Sequence, residues 1–174
     1  CFAGERRMSL REPVYGPDLI TVCILDRVCL AVLARRLERP QSEIRHHLKM
    51  ASHMGTFAAE KLYDEERGFF IDLGASSGMV GRVETPFGYW PVLWHNQPEF
   101  RAAALRALSP EGPFWSNYGL ATVSKHHPSF DPSRVWRGSI WMCTNCLTAE
   151  LLAIRGEEAA VNGIVDSSRR VMRA

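Results

Sequence analysis

The sequence predicts an all-α fold of helical hairpins, with long loops between them and a short β-hairpin among the loops. Three observations lead there. Apolar residues recur at helical spacing in five separate stretches. Proline and glycine stand at the ends of several of those stretches, where helices start and stop. The intervening segments are rich in Gly, Pro, Ser and aromatic residues, the composition of loops. With 174 residues, 46% of them hydrophobic and 23% charged, the chain has an ordinary globular composition. Residues 1–174 are therefore expected to form a single domain with a sizeable core.

The first helix is expected from about Asp18, a candidate N-cap after Pro17, to Glu38. The second follows Pro40 and runs from Gln41-Ser42 to Tyr63. Its positions Ile44, Leu48, Ala51, Gly55, Ala58 and Leu62 step by four and three along one face. The Arg39-Pro40 joint is short, so these two helices should pack as an antiparallel pair. Asp64 to Asp72 reads as a turn leading into a short extended piece. Residues 74–88, with glycines at 74, 78, 81 and 88, read as a loop with a small hairpin. A third helix is expected from Pro98 to Leu108, with Glu99 in its first turn. Residues 109–138 form a long connection, and loops of that length inside compact domains are usually functional. The fourth helix is expected from Ser139 to Ile154, closed by Arg155-Gly156, and the fifth from Glu157 to the end.

A formal net charge of +2 and the lack of a Lys/Arg block give no reason to expect nucleic acid or an anionic membrane as partner. The run Leu19 to Ala34 is almost continuously apolar, but Asp26-Arg27 sits in its middle. A charged pair at mid-depth is costly in lipid, so a buried helix is expected rather than a membrane span. Cys1 to Glu12 is charged and has the pattern of neither a signal peptide nor a transit peptide. Five cysteines, at 1, 23, 29, 143 and 146, fit reduced thiols better than a disulfide framework and point to the cytoplasm. Cys143-Thr-Asn-Cys146 is a lone CxxC, and two ligands do not make a zinc site. The chain opens on Cys, and its last helical pattern runs through Val171–Ala174 without a cap. A piece of a longer chain is expected.

All five tryptophans, Trp90, Trp94, Trp115, Trp136 and Trp141, fall between residues 90 and 141. The last two lie within the sequence Val135-Trp-Arg-Gly-Ser-Ile-Trp141, a turn just where a helical pattern begins. An arginine held between two indoles would offer flat apolar faces and a fork of N–H donors, a combination suited to a hydroxyl-rich ring. Paired helices separated by decorated loops suggest a toroid, in which hairpins form a ring and the loops at one rim build the site.

Several phrases then fit together in order. Gly16-Pro-Asp-Leu19 opens a long helix ending in Leu-Glu-Arg-Pro40. Leu62-Tyr-Asp-Glu-Glu-Arg-Gly-Phe-Phe70 follows the next helix, and Tyr89-Trp-Pro-Val-Leu-Trp94 opens the third. Phe114-Trp115 leads to Tyr118-Gly-Leu-Ala-Thr-Val-Ser124, and Val135 to Trp141 precedes Asn145. Over about residues 14–172 this order resembles the (α/α)6-toroid glycoside hydrolases related to mannosylglycerate hydrolase and the processing α-glucosidases. The resemblance implies a partial (α/α)6 toroid. It implies hydrolysis of an α-glucoside or α-mannoside by an inverting acid/base mechanism, with no metal or organic cofactor and an oligosaccharide or small glycoside as partner. It also implies that Trp136, Arg137, Gly138 and Trp141 line the sugar subsite, with Trp90 and Trp94 as further candidates and 118–124 as a bordering loop. The family's usual wording is Tyr-Trp-Arg-Gly-Pro, an apolar residue and Trp. Here Val135 stands for the Tyr and Ser139 for the Pro, and Cys146 stands where the family tends to carry an aromatic.

Such enzymes use two carboxyl groups, one protonating the leaving oxygen and one activating water, roughly 6.5–9.5 Å apart in the inverting geometry. In the family the acid is an Asp in an aromatic-rich motif that residues 1–17 lack. The base is a Glu in a motif well beyond the Trp-Arg-Gly turn, and the 36 residues after Gly138 lack it. Both are expected outside this sequence, and no catalytic residue is assigned within it. Asp18 reads as a cap, Asp64-Glu65-Glu66 as a solvated turn, Asp131 as an Asp-Pro turn, and Glu84 as a rim residue able to face a substrate. His46, His47 and His53 lack the i, i+4 spacing that favours a shared metal. His95 and His126-His127 lie near the expected site. Ser124 has no nucleophile-elbow context, and the glycines of 74–88 do not fit a phosphate-cradling motif. Two other readings compete: a non-catalytic carbohydrate-binding or structural toroid, and a thiol or metal protein centred on Cys143 and Cys146.

Overall fold

The computed structural model describes residues 13–78, 80–81, 83–171 and 173. The charged opening, Cys1 to Glu12, lies outside the described residues, as do Met172 and Ala174 of the uncapped final pattern. Five helices stand where the apolar periodicity predicts them: α1 (Pro17–Arg36), α2 (Gln41–Lys61), α3 (Pro98–Ala107), α4 (Met142–Ile154) and α5 (Glu158–Val171). The strands are two or three residues long. β1 (Val14–Tyr15), β4 (Asp72–Gly74) and β5 (Val80–Gly81) make one antiparallel sheet in the order β1-β4-β5. Tyr63–Asp64 (β2) pairs with Phe69–Phe70 (β3), and Trp115–Ser116 (β6) pairs with Gly119–Leu120 (β7).

The start of α1 differs from expectation. Gly16, not Asp18, is the N-cap, because Pro17 presets a helical φ and its missing N–H would be unpaired in a first turn anyway. Asp18 instead accepts a hydrogen bond from the Leu19 N–H at 2.7 Å, an acidic group in the first turn that suits the helix dipole. The absence of a side chain at residue 16 matters. A Cβ there would lie 2.5 Å from Asp18 Oδ1 and 3.3 Å from Asp72 Oδ1, so the glycine makes room for two carboxylates.

Helices α1 and α2, joined by residues 37–40, form the predicted hairpin and close on Ala31, Ala34 and Ile44. The predicted α2 face is buried at Ile44, Ala51, Ala58 and Leu62 but exposed at Leu48. At Gly55 the six-membered ring of Trp94 comes within 3.5 Å of the Cβ position. The expectation of a buried α1 holds on one side only. Thr21, Ile24, Ala31 and Ala34 are buried, whereas Leu19 is 61% and Leu33 51% exposed. Among the described residues no helix is long and apolar enough to cross a membrane.

Two further boundaries depart from the sequence reading. Residues 86–93, read in part as loop, form a 3-10 helix that buries Phe87, Tyr89, Trp90 and Val92. Pro91 within it lacks the N–H that an α-ladder needs, which favours the tighter, short-range geometry. Helix α4 begins at Met142 rather than Ser139. Ile140 bridges to Ala121 and the Ser139 carbonyl accepts from the Thr122 N–H, so the chain stays extended up to Trp141.

The main core gathers Leu62, Phe69, Phe70, Tyr89, Phe100, Leu108, Phe114, Leu120, Leu152 and Ile164. Phe100, wholly buried, touches the rings of Tyr63, Phe70, Tyr89 and His95. An Arg101–Glu157 ion pair ties α3 to the residue before α5, and Gly156, at φ +75°, ends α4 as predicted.

Phe100→Ala is expected to lower unfolding free energy by about 3–5 kcal/mol, read from denaturant midpoints, because the surrounding rings cannot collapse into the space. Asp72 gives a second test. Burial, with the Asp18 carboxylate adding to it, pushes its pKa up to about 6. Between about pH 4 and 6 the native state holds a proton that the unfolded chain has released, so this group makes stability fall as pH rises through that window. Asp72→Asn is expected to flatten the fall and to raise stability at pH 7 by about 2 kcal/mol. An unchanged pH profile in the variant would refute the assignment.

Candidate functional site

The loop from Arg134 to Trp141 turns at two residues with positive φ. Trp136 has φ +63°, rare for a residue with a Cβ, and Gly138 has φ +134°. Hydrogen bonds hold this conformation from several sides. The Arg137 N–H donates to the Arg134 carbonyl at 3.2 Å, and its own carbonyl accepts from the Asp131 N–H at 2.6 Å. Thr122 Oγ1, buried, accepts from the Gly138 N–H at 3.1 Å and donates to the Ser139 carbonyl at 3.1 Å. Asn145, also buried, accepts from the Leu120 N–H at 2.7 Å and donates to the carbonyls of Leu120 and Trp141. The bordering loop, the turn and the first turn of α4 are thus one hydrogen-bonded unit.

The two indoles do not hold the arginine between them, as the sequence suggested. Trp136 and Trp141 stack directly, with centroids 4.2 Å apart and planes 16° from parallel, a separation that leaves no space for a guanidinium. The left-handed residue 136 and Gly138 reverse the chain and bring these rings together. Trp136 packs further against the small core of Phe87, Trp90 and Leu151. Arg137 is half-buried, and its guanidinium makes no hydrogen bond or ion pair among the described residues. Gly138 is buried against Phe130, whose Cε2 would lie 2.5 Å from a Cβ.

Of the other predicted site tryptophans, Trp90 shares a small core with Trp136, whereas Trp94 packs against the main core. Trp90 is 4% exposed and donates its indole N–H to Thr148 of α4 at 2.9 Å, so it offers almost no face to a ligand. Trp94 donates to Thr21 of α1 at 3.1 Å and packs edge-on against Phe70. Both link the 3-10 helix to the helices around it. In the bordering loop, Gly119 at φ +125° lies so close to Asn145 that a Cβ would fall 2.5 Å from its Oδ1, and Tyr118 is exposed.

The charged candidates are engaged locally. Glu84 accepts the Tyr89 hydroxyl at 2.8 Å, and burial and this carboxylate push the Tyr89 pKa up. Asp64 pairs with Arg67 at 2.7 Å. Asp131 accepts both the hydroxyl and the N–H of Ser133, which hold its pKa below the usual carboxylate range, with Arg134 and Arg137 adding to the effect. His127 hydrogen-bonds Ser129, and His47 lies 3.4 Å from an Arg27 nitrogen. His95 packs edge-on against Phe70, Trp94 and Phe100 and tilted against Tyr63. Cys143 and Cys146 are free thiols exposed on α4. Thr122 and Asn145 appear in the sequence only as members of the ordered phrases, with no role of their own, and Phe130 carries no sequence motif and was missed. Ser139 was visible only as a departure from the family wording.

The chain matches the model of a family described as the mannosylglycerate hydrolase MGH1-like glycoside hydrolase domain, over residues 3–174. The mannosylglycerate hydrolase of Thermus thermophilus is 30% identical over 96 residues, which are 55% of this chain and 23% of that protein. The crystal structure of a GH63 mannosylglycerate hydrolase from Thermus thermophilus in complex with glucose matches with a TM-score of 0.76 at 24% identity, covering 92% of this chain and 40% of that one. Neutral trehalase Nth1 from Saccharomyces cerevisiae matches with a TM-score of 0.70 at 16% identity, covering 89% of this chain and 30% of that one. The fold is therefore part of a helical toroid. This chain spans well under half the length of any of these relatives.

Gly138→Ala is expected to destabilise the chain by about 2 kcal/mol or more. It places a Cβ both in left-handed backbone and against Phe130. Thermal melts read the loss, and an unchanged melting temperature would show that the turn relaxes freely.

Proposed function

On the premise that this chain belongs to the mannosylglycerate hydrolase MGH1-like glycoside hydrolase domain family, we propose that it is an internal piece of a catalytic domain that hydrolyses an α-glycosidic bond. The piece supplies one wall of the sugar subsite. The observation that carries this reading is the 136–141 turn: a stacked indole pair with Arg137 between its members in sequence, half-buried and with no side-chain hydrogen-bond partner among the described residues. Aromatic faces take the C–H side of a pyranose ring, and a planar fork of donors takes its hydroxyls or a carboxylate. Strained backbone held by buried hydrogen bonds presents both as a preorganised surface.

The substrate is an α-glucoside or α-mannoside, an oligosaccharide or a small glycoside. That a structurally similar hydrolase was solved in complex with glucose supports this class. The chemistry is an inverting displacement by two carboxyl groups, and both lie in the parts of the parent domain that this chain does not span. Such acid/base chemistry needs no metal or organic cofactor. Trp90 and Trp94 act as the frame behind the subsite, because their N–H groups are already bound to helix threonines. The free thiols favour a reducing compartment such as the cytoplasm.

The isolated 174 residues are expected to bind D-glucose or mannosylglycerate without turning either over. Trp141→Ala and Arg137→Ala should each weaken that binding about tenfold in titration calorimetry. Extending the reading frame at both ends should restore hydrolysis of mannosylglycerate or a gluco-oligosaccharide. Turnover by the isolated chain, or an extended protein that binds sugar but never cleaves it, would overturn the catalytic part. The second result would favour a carbohydrate-binding toroid.

A further inference from the structure

Ser139 stands at the centre of the turn, at the position where the wording it resembles has Pro. Its Oγ accepts two N–H groups: the Trp136 amide at 3.3 Å and the Trp141 indole Nε1–H at 3.1 Å. Its carbonyl accepts from both the amide and the hydroxyl of buried Thr122. One short side chain thus ties together both members of the stacked pair while its backbone is strapped to the core. A hydroxyl has two lone pairs and one donor. Both lone pairs are occupied here, and among the described residues nothing accepts the O–H.

We propose that Ser139 is a positioning residue for ligand recognition, fixing the outer face of Trp141 as the platform for a pyranose ring and offering its own O–H to a ring hydroxyl. The two indoles then have different roles. Trp136 is the support, because one face carries Trp141 and the ring also packs on Phe87, Trp90 and Leu151. Trp141 is the platform, since among the described residues no other ring packs on it. Without Oγ, both N–H groups lose this acceptor and Trp141 is free to turn about its side-chain bonds. The saccharide part rests on the functional reading above, whereas the locking of the indole pair is independent of it.

Two stacked indoles couple their electronic transitions and give an exciton couplet in circular dichroism, which Trp136→Phe identifies by removing it. In the 174-residue chain, Ser139→Ala is expected to reduce that couplet by half or more, and Ser139→Thr, which keeps the oxygen, to retain it. Ser139→Pro, with the residue of the family wording, is a second variant without Oγ and should lose the couplet as Ser139→Ala does. D-Glucose binding by titration calorimetry should be about tenfold weaker in Ser139→Ala than in the unmodified chain, and close to normal in Ser139→Thr. An undiminished couplet in either variant lacking Oγ overturns the proposal. A weakened couplet with no glucose binding by the unmodified chain upholds the locking of the indoles and overturns the saccharide reading instead.

Discussion

The geometry of the site hangs on the buried hydroxyl of Thr122. It accepts from the Gly138 amide and donates to the Ser139 carbonyl, so it grips the turn on both sides of one peptide unit. The backbone N–H of the same threonine donates to that carbonyl as well. A non-glycine residue in left-handed backbone costs on the order of 1 kcal/mol or more and persists only where its surroundings over-determine it. Trp136 is such a residue, and Thr122, Ser139 and the 131–137 backbone bond are what over-determine it.

That constraint passes outward through Asn145. Its amide side chain closes a two-way hydrogen bond with Leu120 and reaches the Trp141 carbonyl. The start of α4, the strand at Leu120 and the Trp141 backbone are therefore tied together. Trp90 extends the same rigidity to the 3-10 helix through Thr148, and Trp94 extends it to α1 through Thr21. Buried polar groups at these positions are all paired, the condition under which such networks rigidify a structure rather than weaken it.

The toroid geometry explains why so many apolar side chains of α1 and α4 stay uncovered in a chain that spans part of its relatives. Leu19, Val22, Val32, Leu33 and Leu37 line the exposed side of α1 and its end, and Leu147 and Ile154 are exposed on α4. In a ring of helix pairs each helix packs against neighbours on both flanks, so apolar residues on more than one side of a helix are what such packing requires.

Much of this architecture was legible in the residues. Apolar spacing and the Pro and Gly punctuation placed five helices, because each signal is local and acts through backbone geometry and one buried face. The ordered phrases from Gly16 to Trp141 identified the family for the same reason, since they follow the chain. What tertiary structure alone decided was which groups meet. Arg137 lies between two tryptophans in sequence, yet the indoles stack on each other, because two left-handed residues reverse the chain between them. The hydroxyls of Thr122 and Ser139 and the amide of Asn145 are ordinary residues in a linear reading. Their roles arise from burial beside particular N–H and carbonyl groups, a matter of three-dimensional proximity that no local spacing encodes.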